Sequence, residues 1–362
     1  MKNSFGDSVC YTLFGESHGE AIGIVIDGLA PGINVDAKEI EKFLSLRRPV
    51  DANSTARREP DNFSILSGVY NGKTTGTPIS IVINNTQTKS KDYAALDGIA
   101  RPGHADYTAF CKYHGFEDRR GGGHFSGRIT APIVAAGAIC LNALKNKGIE
   151  IGTHISSISN VKDREFDNFS EDIKILEEMN FPVLSQTAKE KMQQEIANAK
   201  NNCDSVGGVL ETVVTGMPSG VGEPWFDSVE SKLSHALFSV PAIKGVSFGC
   251  GFDFATMSGS QANDEFYTEN GSVYTKTNNN GGINGGITNG MPIVFSCAVK
   301  PTPSISKKQN TVNFEKNENC EIEINGRHDP CVVHRAAIVV KCITALTLCD
   351  LLATRFGTDY LA

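Results

Sequence analysis

Two kinds of chemically capable residue recur along this chain: imidazoles set among small residues, and arginines set in pairs. His18 lies in the run Thr12-Leu13-Phe14-Gly15-Glu16-Ser17-His18-Gly19. An imidazole titrates near neutrality and can protonate a departing phosphate, although a histidine so placed is more often a hydrogen-bonded structural residue. Leu46-Arg47-Arg48-Pro49 is followed by Arg57-Arg58-Glu59-Pro60, four guanidiniums within twelve positions of an acidic chain. Arginine is the preferred bidentate partner of phosphate and carboxylate; a solvated cluster paired with Glu59 and Asp61 is the competing reading.

Arg101-Pro102-Gly103-His104-Ala105-Asp106 precedes Arg119-Arg120-Gly121-Gly122-Gly123-His124-Phe125-Ser126-Gly127-Arg128. Three glycines ahead of a helix let backbone N–H groups approach an anion, or form no more than a flexible loop. The triplet is neither a dinucleotide fingerprint nor a P-loop. Asn278–Ile287 is rich in Asn and Gly, and Lys300-Pro301-Thr302-Pro303-Ser304-Ile305 follows it. Gly326-Arg327-His328-Asp329-Pro330-Cys331 sets a cation, an imidazole and a carboxylate side by side, as a site or as a helix cap.

The elements that must position these motifs recur in order. Ile22–Ile26 reads as a strand, with a turn through Gly28 and Gly32 and a helix over Ala37–Leu46; Val209–Val214, a turn through Gly216 and Gly220, and a helix over Trp225–Val240 repeat the sequence of elements. Thr75-Gly76-Thr77-Pro78 and Asn289-Gly290-Met291-Pro292 each lead into an alternating strand. Arg128 and Arg335 each precede a long small-residue helix, Ala131–Leu144 and Ala336–Leu352, apolar on nearly all sides. An internal duplication accounts for this, with pseudo-repeat halves of about 1–150 and 205–362 and a surface insertion over about 160–204; chance recurrence of Gly-x-Pro turns is the alternative. The expected fold class is α+β: a single large domain over 1–362, a layered β-α-β sandwich with central helices between antiparallel sheets.

A net charge of −7 offers no general attraction for nucleic acid or an anionic membrane, so anion binding falls to local arginines. Ten scattered cysteines without a C-x-x-C pair read as free thiols in a reducing cytoplasm. Lys341 and Asp350 interrupt the longest apolar run, which suits a core helix better than a membrane span.

In this order the motifs closely resemble chorismate synthase, from about Phe14 to the final helix. The carriers are Phe14–Gly19, Arg57–Asp61, Arg101–Tyr107, Ser258–Phe266, Gly281–Gly290, Lys300–Ile305 and Gly326–Val332. The resemblance implies a carbon–oxygen lyase of the shikimate pathway to aromatic amino acids: anti-1,4-elimination of phosphate and a proton from 5-enolpyruvylshikimate 3-phosphate, using reduced FMN without net redox change. It implies a cytoplasmic homotetramer that needs no metal. His18 would protonate the phosphate, His104 the reduced flavin, and Asp329 would accept a proton, with Ser17 and Ser126 relaying or orienting. Flavin contacts carry over to His124, Phe125, Ser126, Pro241, Ala242, Gly285, Lys300, Pro301, Thr302, Pro303, Ser304 and Arg327; Arg47, Arg48, Arg57 and Arg128 are the substrate candidates. The chain departs from the family at His124-Phe125, where an arginine and a small residue are usual, and at Asn53, where a family arginine associated with nicotinamide (NADP) binding is expected. A non-catalytic flavin- or phosphate-binding paralogue is the main rival, and a phosphotransferase, for want of a P-loop, the lesser one.

Overall fold

The computed structural model describes residues 2–48, 60–86, 98–324 and 329–362. Two five-stranded antiparallel sheets enclose a layer of helices. The first sheet runs in the spatial order Ser4–Phe5, Cys10–Gly15, Ala21–Asp27, Ile79–Asn84, Phe63–Ser67. The second runs Val161–Lys162, Glu150–Ile158, Gly208–Thr215, Ile293–Val299, Ile243–Phe248. Edge for edge the two orders correspond. Alternation sets the register in each: Ile22, Ile24 and Ile26 on one strand and Ile79, Ile81 and Ile83 on its neighbour are all buried on one face.

The correspondence extends to single bonds. Thr74 Oγ1 donates to the Ala30 carbonyl (2.6 Å) and accepts from Ile33 N–H (2.9 Å), while Gly32 N–H donates to the Thr74 carbonyl (2.8 Å). Thr288 Oγ1 donates to the Pro218 carbonyl (2.6 Å) and accepts from Val221 N–H (2.9 Å), and Gly220 N–H donates to the Thr288 carbonyl (2.8 Å). The frames differ in the link between their first two long strands, which is residues 16–20 in one and 159–207 in the other; the longer link carries helices Phe169–Leu176 and Gln186–Asn201.

Helices Thr130–Asn146 and Val333–Phe356 form the middle layer, buried on nearly all sides. They run parallel: Cys342 Sγ reaches the Val134 carbonyl, and Cys349 Sγ the Cys140 carbonyl. Small residues let them approach closely, since a Cβ on Gly137 would stand 2.3 Å from Cys342 Cβ. Both are long and apolar enough to span a membrane by length and composition, but 83% and 94% of their apolar windows are buried inside the protein, as core helices are. The one carboxylate in the longer helix, Asp350, is buried and bonded rather than solvated. Asp350 Oδ1 accepts from the backbone N–H groups of Asp7, Ser8 and Val9 at 2.8–3.0 Å, and Lys232 lies 3.3 Å from its other oxygen.

One helix is shorter than its sequence pattern. Residues 225–227 form a separate tight turn with Trp225 at φ +71°, and the helix proper is Val229–Ser239, capped by Ser228 Oγ on Ser231 N–H (3.0 Å). All ten cysteines are free thiols.

Candidate active site

The first turns of both central helices open into a cavity of about 1080 Å³, to which they contribute Ile129, Thr130 and Ile133, and Val332, Arg335 and Ala336. Two helix N-termini directed at one space favour negative charge there. The rest of the wall comes from loops. Residues of Arg101–Asp106, Arg119–Gly127, Pro241–Lys244 and Lys300–Pro303 line it, the first and last of these segments packed against each other.

Arginine chemistry dominates the inner end. Arg47 ends helix Ala37–Arg47 and, like Arg128 and Asp61, is buried, with exposures of 6%, 7% and 2%. Asp61 Oδ2 takes Arg47 Nη2 at 2.9 Å and Arg48 Nε at 3.5 Å, and its Oδ1 takes Arg128 Nη1. Arg335 donates through Nε to the Arg47 carbonyl (2.9 Å) and through Nη1 to Asp329 Oδ2 (2.5 Å). Four guanidiniums thus gather around two carboxylates. Burial, with Asp61 opposing and Arg335 and Arg128 adding, brings Arg47 down to about 10, and its Nε has no hydrogen-bond partner among the described residues. Asp61 stays ionised: burial would raise its pKa, but Arg47 and Arg128 outweigh that. The pairing of Arg47 and Arg48 with Asp61 was one of the two readings of the sequence, but it is buried and not a solvated surface cluster, and Arg128 joins it. The outer arginines of the wall are individually neutralised, Arg101 by Asp106 (2.7 Å), Arg119 by Glu315 (2.7 Å) and Arg120 by Asp118 (2.8 Å).

His104 lines the cavity, held by Ser304 Oγ at Nε2 (2.9 Å) and facing the Pro102 carbonyl at Nδ1 (3.3 Å). Burial, then the neighbouring Arg101 and Lys300, bring its pKa down to about 4, so the ligand-free imidazole is neutral at neutral pH. Its loop is fixed from both ends: Arg101 forms a bidentate pair with Asp106, and Lys300 Nζ donates to the Gly103 carbonyl (2.7 Å).

Gly121, Gly122 and Gly123 all have left-handed φ, at +61°, +83° and +51°. At Gly121 this permits close approach. A Cβ there would stand 2.0 Å from His18 Cε1, and Ser17 Oγ donates to the Gly121 carbonyl at 3.0 Å while also contacting His18 Nδ1 at 3.0 Å.

Residues 9–353 match the family model described as chorismate synthase. The chain belongs to the chorismate synthase family. The chorismate synthase of Thermococcus gammatolerans is 45% identical over 350 residues, 97% of each chain. That of Lachnoclostridium phytofermentans is 45% identical over 362 residues, 99% of this chain and 97% of its own. A crystal structure of a chorismate synthase superposes with a TM-score of 0.77 at 28% identity, covering 98% of this chain and 94% of that one.

Most residues that the family resemblance singles out converge. His104, His124, Phe125, Ser126, Pro241, Ala242, Lys300, Thr302, Pro303 and Arg47 line the cavity. His18 and Asp329 stand behind it, each touching a wall residue, Gly121 and Arg335 respectively. Ser126 also serves the fold, since its Oγ accepts from Arg128 N–H (3.3 Å) where the chain enters the central helix. At the family departure, His124 Nδ1 contacts the Gly15 carbonyl at 2.8 Å and Phe125 packs against Tyr113. Gly285 lies elsewhere, in the hairpin Ile283–Asn284/Ile287–Thr288 that packs on the start of helix Val229–Ser239 through Val229 N–H to the Gly286 carbonyl (2.9 Å). Arg57, Arg327 and Asn53 lie outside the described residues.

Sequence reading missed Arg335 and Asn85 as members of this network, and it set Asp61 on a solvated surface. Arg335 had a usable signal, since it precedes one central helix as Arg128 precedes the other.

Proposed function

We propose that the chain converts 5-enolpyruvylshikimate 3-phosphate to chorismate by eliminating phosphate and a proton, with reduced FMN and no net redox change. One observation carries this reading: four guanidiniums facing two carboxylates at the head of two buried helices. A substrate with one phosphate and two carboxylates carries on the order of four negative charges and supplies what that excess lacks. The cavity also fits a flavin beside the substrate, since it exceeds the ~300–1,000 Å³ of single small-molecule pockets. The wall formed by Ile129, Ile133, Val240, Pro241 and Ala242 is apolar, as a ring system needs. When bound, reduced flavin supplies the electron density that assists phosphate departure and is returned as the hydrogen leaves.

The chain's own groups divide the remaining work. Arg47, Arg128 and Arg335 hold the anionic groups, with Arg48 behind them. His18, oriented by Ser17, gives a proton to the departing phosphate. His104 is neutral until a nearby anion raises its pKa, which suits a group that exchanges a proton with a bound ligand. Asp329 keeps one oxygen on Arg335 and the other without a side-chain partner among the described residues; burial, against the pull of Arg335, raises its pKa, as befits a proton acceptor. The same reading carries a cytoplasmic homotetramer, checked by light scattering, and an origin of the two frames by duplication, which the matched strand order and the Thr74 and Thr288 bonds support.

The deciding experiment is an anaerobic assay of phosphate release and chorismate formation with dithionite-reduced FMN. Stoichiometric release is expected. A protein that binds flavin but releases no phosphate is the non-catalytic paralogue instead, and aerobic turnover on NADPH and oxidised FMN alone would indicate a built-in reductase.

A further inference from the structure

Asn85 follows the strand Ile79–Asn84 and is half-buried next to the arginine cluster. Its side-chain amide is engaged on both sides. Nδ2 donates to the carbonyls of Glu16 and Gly19, each at 2.9 Å, and Oδ1 accepts from Arg128 Nε at 3.1 Å. Its backbone N–H donates to the Glu20 carbonyl at 3.0 Å. The partners fix which way the amide points, because the reverse orientation would set an acceptor against two carbonyls and an NH₂ against a guanidinium. Glu16 and Gly19 bracket Ser17 and His18, and Gly19 N–H closes the turn on the Glu16 carbonyl (3.1 Å). Asn85 therefore holds the turn as a unit.

We propose that Asn85 is a positioning residue that locks the Ser17-His18 turn to the Arg128 guanidinium, fixing the distance from proton donor to anion site. The proposal rests on the reading that His18 protonates a phosphate held by the arginines. Through Arg128 the lock continues to Asp61 and from there to Arg47, so the turn is referenced to the whole cluster. An apolar residue could fill the space. Only a group with two donor hydrogens and an acceptor satisfies both carbonyls and the guanidinium at once.

Asn85→Asp separates the two halves of the lock. It keeps an acceptor for Arg128, now as an ion pair, and sets an oxygen against the Glu16 and Gly19 carbonyls. Under anaerobic conditions with reduced FMN, its kcat is expected to fall ~10²-fold, the scale of a displaced general acid, with KM for the enolpyruvyl substrate within ~3-fold of wild type. Asn85→Ser, which deletes the amide without adding charge, is expected to lower kcat similarly, and it serves as the test if the aspartate variant does not fold. In ligand-free protein, both are expected to shift the His18 imidazole NMR resonances while melting within a few degrees of wild type. Near-normal kcat, a KM rise with unchanged kcat, or unmoved His18 resonances in the folded variants would overturn the lock. An inactive wild type would sink the assigned reaction instead, leaving the His18 resonances to judge the lock by themselves.

Discussion

Arg335 Nη1 donates to Asp329 Oδ2 at 2.5 Å, which ties the carboxylate to the head of the second central helix. The helix Val333–Phe356 begins after Val332, whose side chain makes no cap bond. Asp329→Asn keeps the hydrogen bond to Arg335 but removes the basic oxygen. Turnover is expected to fall ~10²–10⁴-fold, the scale of general base catalysis, with melting temperature and ligand affinity little changed. Single-turnover chorismate formation beside a melt checks this, and near-normal turnover would return Asp329 to a structural role.

Arg47→Ala removes a buried guanidinium whose Nε has no hydrogen-bond partner among the described residues. Substrate affinity is expected to drop by ~1.5–3 kcal/mol, the cost of a charge-assisted bond, with FMN affinity changing less. Titration calorimetry with each ligand compares the two losses. Equal losses would place Arg47 on the flavin side.

The neutral His104 gives a pH signature. Its pKa of about 4 lies below the ordinary value near 6.5, so between these the unfolded chain binds the extra proton. Its contribution to stability is therefore complete above about pH 6.5 and is lost as pH falls toward 4. Replacement by Gln, which can still bond Ser304, is expected to flatten that part of the stability profile. Urea unfolding from pH 4 to 7 tests it; identical slopes for the two proteins would contradict the assignment.

His154 has the opposite sign. Burial disfavours its protonation, but hydrogen bonds to Asp163 (3.0 Å) and Glu211 (2.9 Å) outweigh it and raise the pKa. Its stabilisation is present below the ordinary value and is lost as pH rises through the folded pKa. Since Asp163 also accepts from Leu184 and Ser185 N–H, the imidazolium ties residues 159–207 to the second sheet. His154→Gln is expected to cost ~1–3 kcal/mol near pH 6 and less near pH 9, with kcat unaffected. A pH-independent loss would show that the charge is not what matters.

What sequence exposed and what it hid follow from range. Strands such as Ile79–Asn84 and the two central helices are written in local periodicity, so the layers were legible, and long ordered motifs carried the family. Asp61 looked like a surface carboxylate because nothing local says that three arginines, Arg47, Arg48 and Arg128, close over it. Asn85 was silent for the same reason: its partners are 43 to 69 positions away. The placement of Trp225 outside its helix depends on the Ser228 cap, a signal present but outvoted by the apolar pattern.

The identical bonding of Thr74 and Thr288 carries a consequence for how this molecule can vary. Each threonine pins a turn in its own frame, whereas the loops those frames carry to the cavity bring different groups: His104 and Gly121 from one, Lys300 and Pro303 from the other. On a common origin for the two frames, the threonine clasps would be shared inheritance, and the cavity loops and the 159–207 link the places of divergence. Exchanging Thr74 and its turn for Thr288 and its turn should leave a folded protein, whereas exchanging the loops beyond them should leave a cavity with two copies of one tool and none of the other.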